Sequence, residues 1–333
     1  IAPIVGAAKG QVICCDSISV NLFKLLSSAL SLNPERNVVL STEDNFPTDL
    51  YMVQGLSELL GPDLCQLKLV AEQSIEQNLN DSVAVLLLTQ VNFRTGQLLD
   101  MQKLTQLAHE KGILVIWDLA HSAGALQVEL DNCNADFAVG CGYKYLNGGP
   151  GSPAFLYVAK RHQAAVKQPL SGWMGHAKPF AFDAIYQGAD TINQYLCGTP
   201  SVIAMSALDA ALDVWQDVDI SQVREKSIAL AEVFIKLVQT HSCLSDLRLC
   251  STEDSSQRGS QLAFSHTDAF AICQALIEKG VIADFRAPNI LRFGFTPLYT
   301  SFEEIWQAVT ILAEVVKSQL YTQPRFNLAG KVT

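Results

Sequence analysis

The feature that most constrains the fold is an alternation along the chain. Short apolar, β-branched runs are separated by stretches with helical spacing. Residues 12–15 and 38–41 have the length of short strands, 83–88 and 113–117 have the unbroken apolar character of strands buried on both faces, and 136–140 and 154–158 continue the series. Parallel neighbours need a crossover, and a crossover helix covers the sheet, so this alternation predicts an α/β fold with a mostly parallel sheet. After the first run, Leu22, Leu25, Leu26, Ala29 and Leu30 recur at helical spacing, which predicts a helix beginning near Asn21 with one apolar face.

Beyond Pro200 the pattern changes to long helices, one running to about Asp217 and another over 220–240 that is long enough to bridge two domains. The remainder reads as a smaller α+β unit with strands at 261–265, 281–285 and 290–295. A helix over 268–279 stops at Gly280, and a last helix follows Ser301, which with Glu304 forms a capping box. At about 150 residues per domain, 333 residues make two, placed at 1–217 and 218–333.

Charge and cysteine usage narrow the function classes. With 23 Lys and Arg against 33 Asp and Glu, the net charge of −10 argues against a surface that neutralises nucleic-acid phosphates or anionic lipid. Apolar runs fall well short of the roughly 18 residues that span a bilayer. Nine cysteines without C-x-x-C or zinc-site spacing form neither a disulfide framework nor a metal cage, so a reducing cytoplasm is expected. The chain starts at Ile1 with no secretory signal, which reads as a partial chain.

The chemistry concentrates in residues 113–151, ILVIWDLAHSAGALQVELDNCNADFAVGCGYKYLNGGPG. A strand ending at Asp118 places a carboxylate at the carboxyl edge of a parallel sheet, where ligands bind in open α/β folds. His121 follows, and the next strand delivers Lys144 into a loop with glycines at 140, 142, 148, 149 and 151. Alone, Asp118 reads as a cap and Lys144 as a solvated loop lysine. Together they match pyridoxal phosphate, which needs a lysine for its aldehyde and an acid to keep its ring nitrogen protonated. Residues 16–21, DSISVN, lie between a strand and a helix and offer hydroxyls and helix-start N–H groups to a phosphate, although Ser17 or Ser19 is equally an ordinary N-cap.

The runs WDLAHSAGA, GCGYKYLNGGPG, SVNLF, FPTDLY and GWMGH resemble kynureninase, most closely its bacterial branch, from Pro3 to about Tyr299. The resemblance implies a fold-type I pyridoxal phosphate enzyme, with a large domain built on a mostly parallel, mixed seven-stranded sheet flanked by helices and a smaller C-terminal α+β domain. It implies hydrolysis of L-kynurenine, or also 3-hydroxykynurenine, to anthranilate and L-alanine in tryptophan catabolism. It makes Lys144 the Schiff-base lysine and Asp118 the partner of the ring nitrogen. Ile18 and Ser19 fall on the phosphate side, and Phe46, Pro47, Thr48 and Asp49 line the cofactor. Thr89, His121, Tyr143, Trp173 and Thr199 align with further cofactor contacts. Arg292 matches the arginine that receives the substrate α-carboxylate, a role suited to its two-pronged guanidinium.

Tyr143 is the candidate proton relay to the β-carbon. A homodimer is expected, with Trp173 reaching the partner's cofactor. Kynureninases carry a segment ahead of the position of Ile1, and its absence predicts a partial or truncated chain with an intact cofactor site and an incomplete substrate pocket. The rival readings are another fold-type I enzyme, either an aminotransferase or a cysteine desulfurase using Cys250 or Cys273, and a non-catalytic dimeric relative.

Overall fold

The computed structural model describes residues 1–328. The chain forms two compact units, the first from Ile1–Asn92 and Leu99–Val218, the second from Phe93–Leu98 and the chain from Asp219 onward. Among the described residues, no helix is long and apolar enough to cross a membrane.

The first unit runs β1 (Val12–Cys14), α1 (Ile18–Leu32), β2 (Val38–Thr42), α2 (Pro47–Leu60), β3 (Gln66–Val70), α3 (Ile75–Asn78), β4 (Val83–Thr89), α4 (Met101–Glu110), β5 (Leu114–Asp118), β6 (Phe137–Cys141), β7 (Ala154–Val158) and α5 (Val202–Leu212). Its seven strands lie in the order β1-β7-β6-β5-β4-β2-β3. From β6 to β3 every pairing is parallel, while β7 runs antiparallel to both β6 and β1. The mostly parallel, mixed seven-stranded sheet implied by the resemblance is therefore present.

The reason lies in side-chain burial. All residues of β4 are buried, as are all of β6 and β7, which is the signature of strands covered on both faces. Leu22, Leu25, Leu26 and Ala29 of α1 are fully buried and join Val39, Ala84 and Phe137 in one core. This helix starts at Ile18, ahead of Asn21, because the Ser17 hydroxyl accepts the Val20 N–H at 3.3 Å and caps it early. The helix expected to reach Asp217 stops at Leu212 and continues only as a 3₁₀ turn over Asp213–Trp215.

This topology brings the working ends of the strands together. β1, β2, β4, β5 and β6 point the same way, so the segments after Cys14, Thr42, Thr89, Asp118 and Cys141 emerge along one edge. The antiparallel β7 starts at that same edge with Ala154.

The second unit holds α6 (Ile220–Thr240), β8 (Arg248–Leu249), β9 (Gln261–Ser265), α7 (Ala269–Glu278), β10 (Asp284–Arg286), β11 (Ile290–Gly294) and α8 (Phe302–Lys317). Its four strands form an antiparallel sheet in the order β10-β11-β9-β8. Phe234 of α6 packs against Phe264, Phe293 and Phe295. Helix α6 thus belongs to the core of this unit and does not bridge the two, because its apolar stripe is spent there. The Ser301–Glu304 capping box forms, with Ser301 N–H donating to the Glu304 carboxylate at 2.7 Å. The strand expected at 281–285 is instead Asp284–Arg286: the Ala283 N–H turns back onto the Val281 carbonyl, and pairing begins at Asp284 opposite Arg292. Residues Phe93–Leu98 join this unit because Leu98 N–H donates to the Gln257 carbonyl at 2.9 Å and Gly259 N–H to the Gly96 carbonyl at 2.8 Å.

Candidate active site

A cavity of about 700 Å³ opens in the first unit at the carboxyl edge of its sheet. It is lined from four directions: the β1–α1 turn, the start of α2, the segment after β5, and the Lys144 loop, with residues 196–205 closing the side.

Asp118, the last residue of β5, is 2% exposed. One of its oxygens accepts the Ala120 N–H at 2.8 Å, and the other lies 3.3 Å from the Thr89 hydroxyl at the end of the adjacent β4. The helix cap expected of a lone Asp118 is not made, because no helix follows β5 among the described residues and its bonded oxygen closes a turn onto Ala120. Asp49, in the first turn of α2, is fully buried, and among the described residues both its oxygens lack a hydrogen-bond partner. Burial raises the pKa of both carboxyls. At Asp49 the neighbouring Asp118 charge adds to the rise, and the Lys144 ammonium pulls both back. Burial thus works against the charged form of both acids, and the Lys144 charge works for it.

Lys144 follows β6 in the glycine-rich loop, with its Nζ 5.7 Å from the ring centre of Tyr143. Gly142 and Gly148 hold this loop closed, since a Cβ at either would come within 2.3 or 2.4 Å of the Ser152 hydroxyl. The Tyr143 hydroxyl is pushed up to about 12 by burial and by Cys141, so it stays protonated at neutral pH. His121 is buried and lines the same cavity, as do Phe46, Thr48 and Thr199.

At the far end, Asp16 takes a left-handed backbone with φ 50°, and Ser17 caps α1. Ser17 is therefore the ordinary N-cap that its position suggested. Among the described residues, no acceptor meets the Ile18 and Ser19 N–H groups at the cavity wall. A helix start with open N–H groups suits a dianion.

The cavity brings together Ile18, Ser19, Phe46, Thr48, Asp49, Asp118, His121, Tyr143, Lys144 and Thr199. Pro47, first residue of α2, is not on its wall, and Thr89 acts from beneath by way of Asp118. Trp173 stands apart, 40% exposed and packed on Phe180 and Phe182. Arg292 lies in the second unit on β11, where its Nε and Nη2 donate to the two oxygens of Asp284 at 2.8 and 2.6 Å and Nη1 donates to the Phe93 carbonyl. Sequence reasoning missed Asn45, whose amide oxygen accepts from Thr89 and whose nitrogen donates to Ser41 at 2.9 Å. An Asn just ahead of Phe-Pro at a helix start was the available signal. It also missed Ser152, Cys197 and Met205 on the wall.

The fold is shared with solved structures of low sequence identity. The apo structure of a cysteine desulfurase from Thermococcus onnurineus NA1 superposes with a TM-score of 0.78 at 18% identity, covering 95% of this chain and 82% of that one. A mutant of C-DES with glycine covalently linked to its PLP cofactor superposes with a TM-score of 0.80 at 17% identity, covering 94% of this chain and 83% of that one. Residues 223–312 match the kynureninase C-terminal domain family. A kynureninase from Pseudomonas fluorescens is 44% identical over all of this chain and 81% of its own length. The chain belongs to the kynureninase family.

For a kynureninase, the lysine, the acid pair and the open helix start supply the three kinds of contact that a phosphorylated pyridine aldehyde requires: an amine for its aldehyde, a carboxyl for its ring nitrogen and N–H donors for its phosphate. The cysteines weighed for the desulfurase reading differ in setting. Cys273 is buried, with its thiol pushed up to about 11 by burial, whereas Cys250 is exposed.

Proposed function

We propose that this kynureninase-family chain holds pyridoxal phosphate in the cavity around Lys144 and hydrolyses L-kynurenine, or 3-hydroxykynurenine, to anthranilate or its hydroxylated form and L-alanine. The observation that carries this reading is the meeting of Lys144, Asp118 and the unpartnered Asp49 carboxyl in one cavity at the sheet edge. Family membership supports it.

Pyridoxal phosphate, when bound, supplies an aldehyde that bonds to amines and a protonated ring that withdraws electrons from the substrate α-carbon. Lys144 would hold the cofactor through its Nζ and, as a free amine, would take the proton from the substrate α-carbon. Asp118 would keep the ring nitrogen protonated, and Asp49 on the same cavity wall would accept a further donor. Thr89 and Asn45 keep Asp118 oriented through the hydroxyl between them. Water adds to the γ-carbonyl, the Cβ–Cγ bond breaks, and the aryl carboxylate leaves as anthranilate. Tyr143 delivers a proton to the β-carbon, a donor role that fits a phenol held well above its ordinary value. Arg292 is our assignment for the α-carboxylate: Asp284 takes its Nε and one Nη2 hydrogen and the Phe93 carbonyl takes one Nη1 hydrogen, which leaves one further N–H on each Nη for a second anion.

We further assign the chain to a homodimer, on the support of the exposed ring cluster of Trp173, Phe180 and Phe182, the last two 76% exposed. A single species of monomer mass in analytical ultracentrifugation with cofactor bound would count against this. Nine free thiols favour a reducing compartment such as the cytoplasm.

The test of function is to load the protein with pyridoxal phosphate, add L-kynurenine, and follow anthranilate fluorescence with L-alanine measured in parallel. The two products should appear in equal amounts. Alanine without anthranilate, or cofactor colour with neither product, would overturn the reading.

A further inference from the structure

The β1–α1 turn poses an electrostatic problem for a bound phosphate. Asp16 lines the cavity next to Ser17, Ile18 and Ser19, so a carboxylate stands among the groups that would receive a dianion. Its left-handed backbone is uncommon for a residue with a side chain, which shows that the turn is held from outside.

The holder is Lys24, two turns into α1. Its side chain is fully buried, and its Nζ lies 2.5 Å from Asp16 Oδ2, 2.6 Å from the Tyr195 carbonyl and 3.9 Å from Cys15 Sγ. Three hydrogens thus meet three partners, one on the turn, one at its strand end and one on the chain that continues into Leu196, Cys197 and Thr199 of the opposite wall. Burial works against the ammonium, but the surrounding Cys15 and Asp16 more than offset this, so Lys24 remains charged.

We propose that Lys24 is a positioning residue for the phosphate end of the cofactor site: it cancels the Asp16 charge and clips the β1–α1 turn to the Tyr195 wall, so that the Ile18 and Ser19 N–H groups can hold a phosphate dianion. This rests on the reading that the cavity takes pyridoxal phosphate. Lys24 touches no reacting atom in this scheme. Its effect is on charge balance and wall spacing.

The experiment titrates the cofactor-free protein with pyridoxal phosphate and, separately, with pyridoxal, reading bound cofactor by visible absorbance. Lys24→Met should weaken pyridoxal phosphate binding by at least tenfold and pyridoxal binding by no more than about threefold, because only the phosphate meets the uncancelled Asp16 charge. Adding Asp16→Asn to Lys24→Met should restore most of the lost affinity. Asp16→Asn alone, which leaves the ammonium uncompensated, should tighten pyridoxal phosphate binding severalfold. Equal weakening for the two ligands, a double variant no better than Lys24→Met, or weaker phosphate binding in Asp16→Asn would overturn the proposal. If Lys24→Met does not fold, the Asp16→Asn arm decides alone. A wild-type protein that shows no preference for the phosphorylated ligand would instead sink the cofactor reading itself.

Discussion

Two buried aspartates on neighbouring strands, Asp118 and Asp136, have the same chemistry and nearly the same exposure, 2% and 1%, yet opposite electrostatic fates. Asp136 stands at the entry to β6 and is saturated. His109 and His162 approach its two oxygens at 2.8 and 2.7 Å, Arg161 donates at 2.6 Å, and the Val115 N–H adds another bond at 2.8 Å. Burial raises its pKa, but the two histidines and the other donors reverse this, and the carboxyl is held far below its usual range. Asp118, at the exit of β5, receives one N–H and shares a hydroxyl, and burial lifts it. One end of the sheet uses a carboxylate to hold strands together. The other keeps carboxyls underpaired, which is tolerable only where a ligand is to supply the missing donor.

The largest effect tied to the underpaired end should come from Lys144→Ala. Turnover should fall by at least about 10³-fold and the visible band of lysine-bound cofactor should vanish, while the urea midpoint stays close to wild type. A retained band would break the assignment. Arg292→Ala should cost about 2 to 4 kcal/mol in kcat/KM for kynurenine, with the rise in KM dominating and cofactor absorbance normal. Lysine should recover only part of it, since a point charge cannot make two parallel bonds. An unchanged kcat/KM would send the search for the carboxylate site elsewhere.

Asp118→Asn should keep cofactor but lower kcat by about 100-fold, because an amide cannot balance a protonated ring. Turnover near wild type would reduce Asp118 to a turn cap.

Asp136→Asn should do the reverse. Activity per folded molecule should hold while stability drops by about 2 to 3 kcal/mol, a figure discounted because Arg161 and the two histidines are partly exposed. The pH dependence sharpens the contrast. A depressed folded pKa means that Asp136 contributes stability above the unfolded carboxyl value of about 4, lost as the pH falls through its folded value. Raised folded values mean that the Asp49 and Asp118 contribution to the cofactor-free protein is present below about 4 and lost as the pH rises through those values. Urea unfolding across pH should show Asp136→Asn removing acid sensitivity and Asp118→Asn removing part of the loss on the rising side. The same change of slope in both variants would erase the distinction.

Legibility in the sequence followed burial. Strands covered on both faces, such as β4 and β5, are continuous apolar runs and could be read directly. The edge strand β3 carries Gln66 and Lys68 on an exposed border, has no apolar run to mark it, and was not foreseen. Helix α2 was missed because its first turn is the Pro-Thr-Asp that reads as a cofactor segment. The pairing of Phe93–Leu98 with residues 257–259 depends on a sequence separation of about 160 residues, which local pattern cannot carry. For the site, Lys144 and Asp118 were readable as strand-end residues with a shared cofactor logic. The Asn45–Thr89–Asp118 relay and the Lys24–Asp16 clip arise from tertiary contacts, and a lysine eight residues along a helix from an aspartate carries no signal by itself.

The central claim, that Lys144 is the amine of the cofactor site, is tested most directly by borohydride reduction of the protein loaded with pyridoxal phosphate, followed by peptide mapping. The reduced pyridoxyl label should fall on Lys144 alone, in the peptide spanning residues 142–151. A label on Lys24 or on any other lysine would contradict the account and with it the roles given to Asp118 and Asp49.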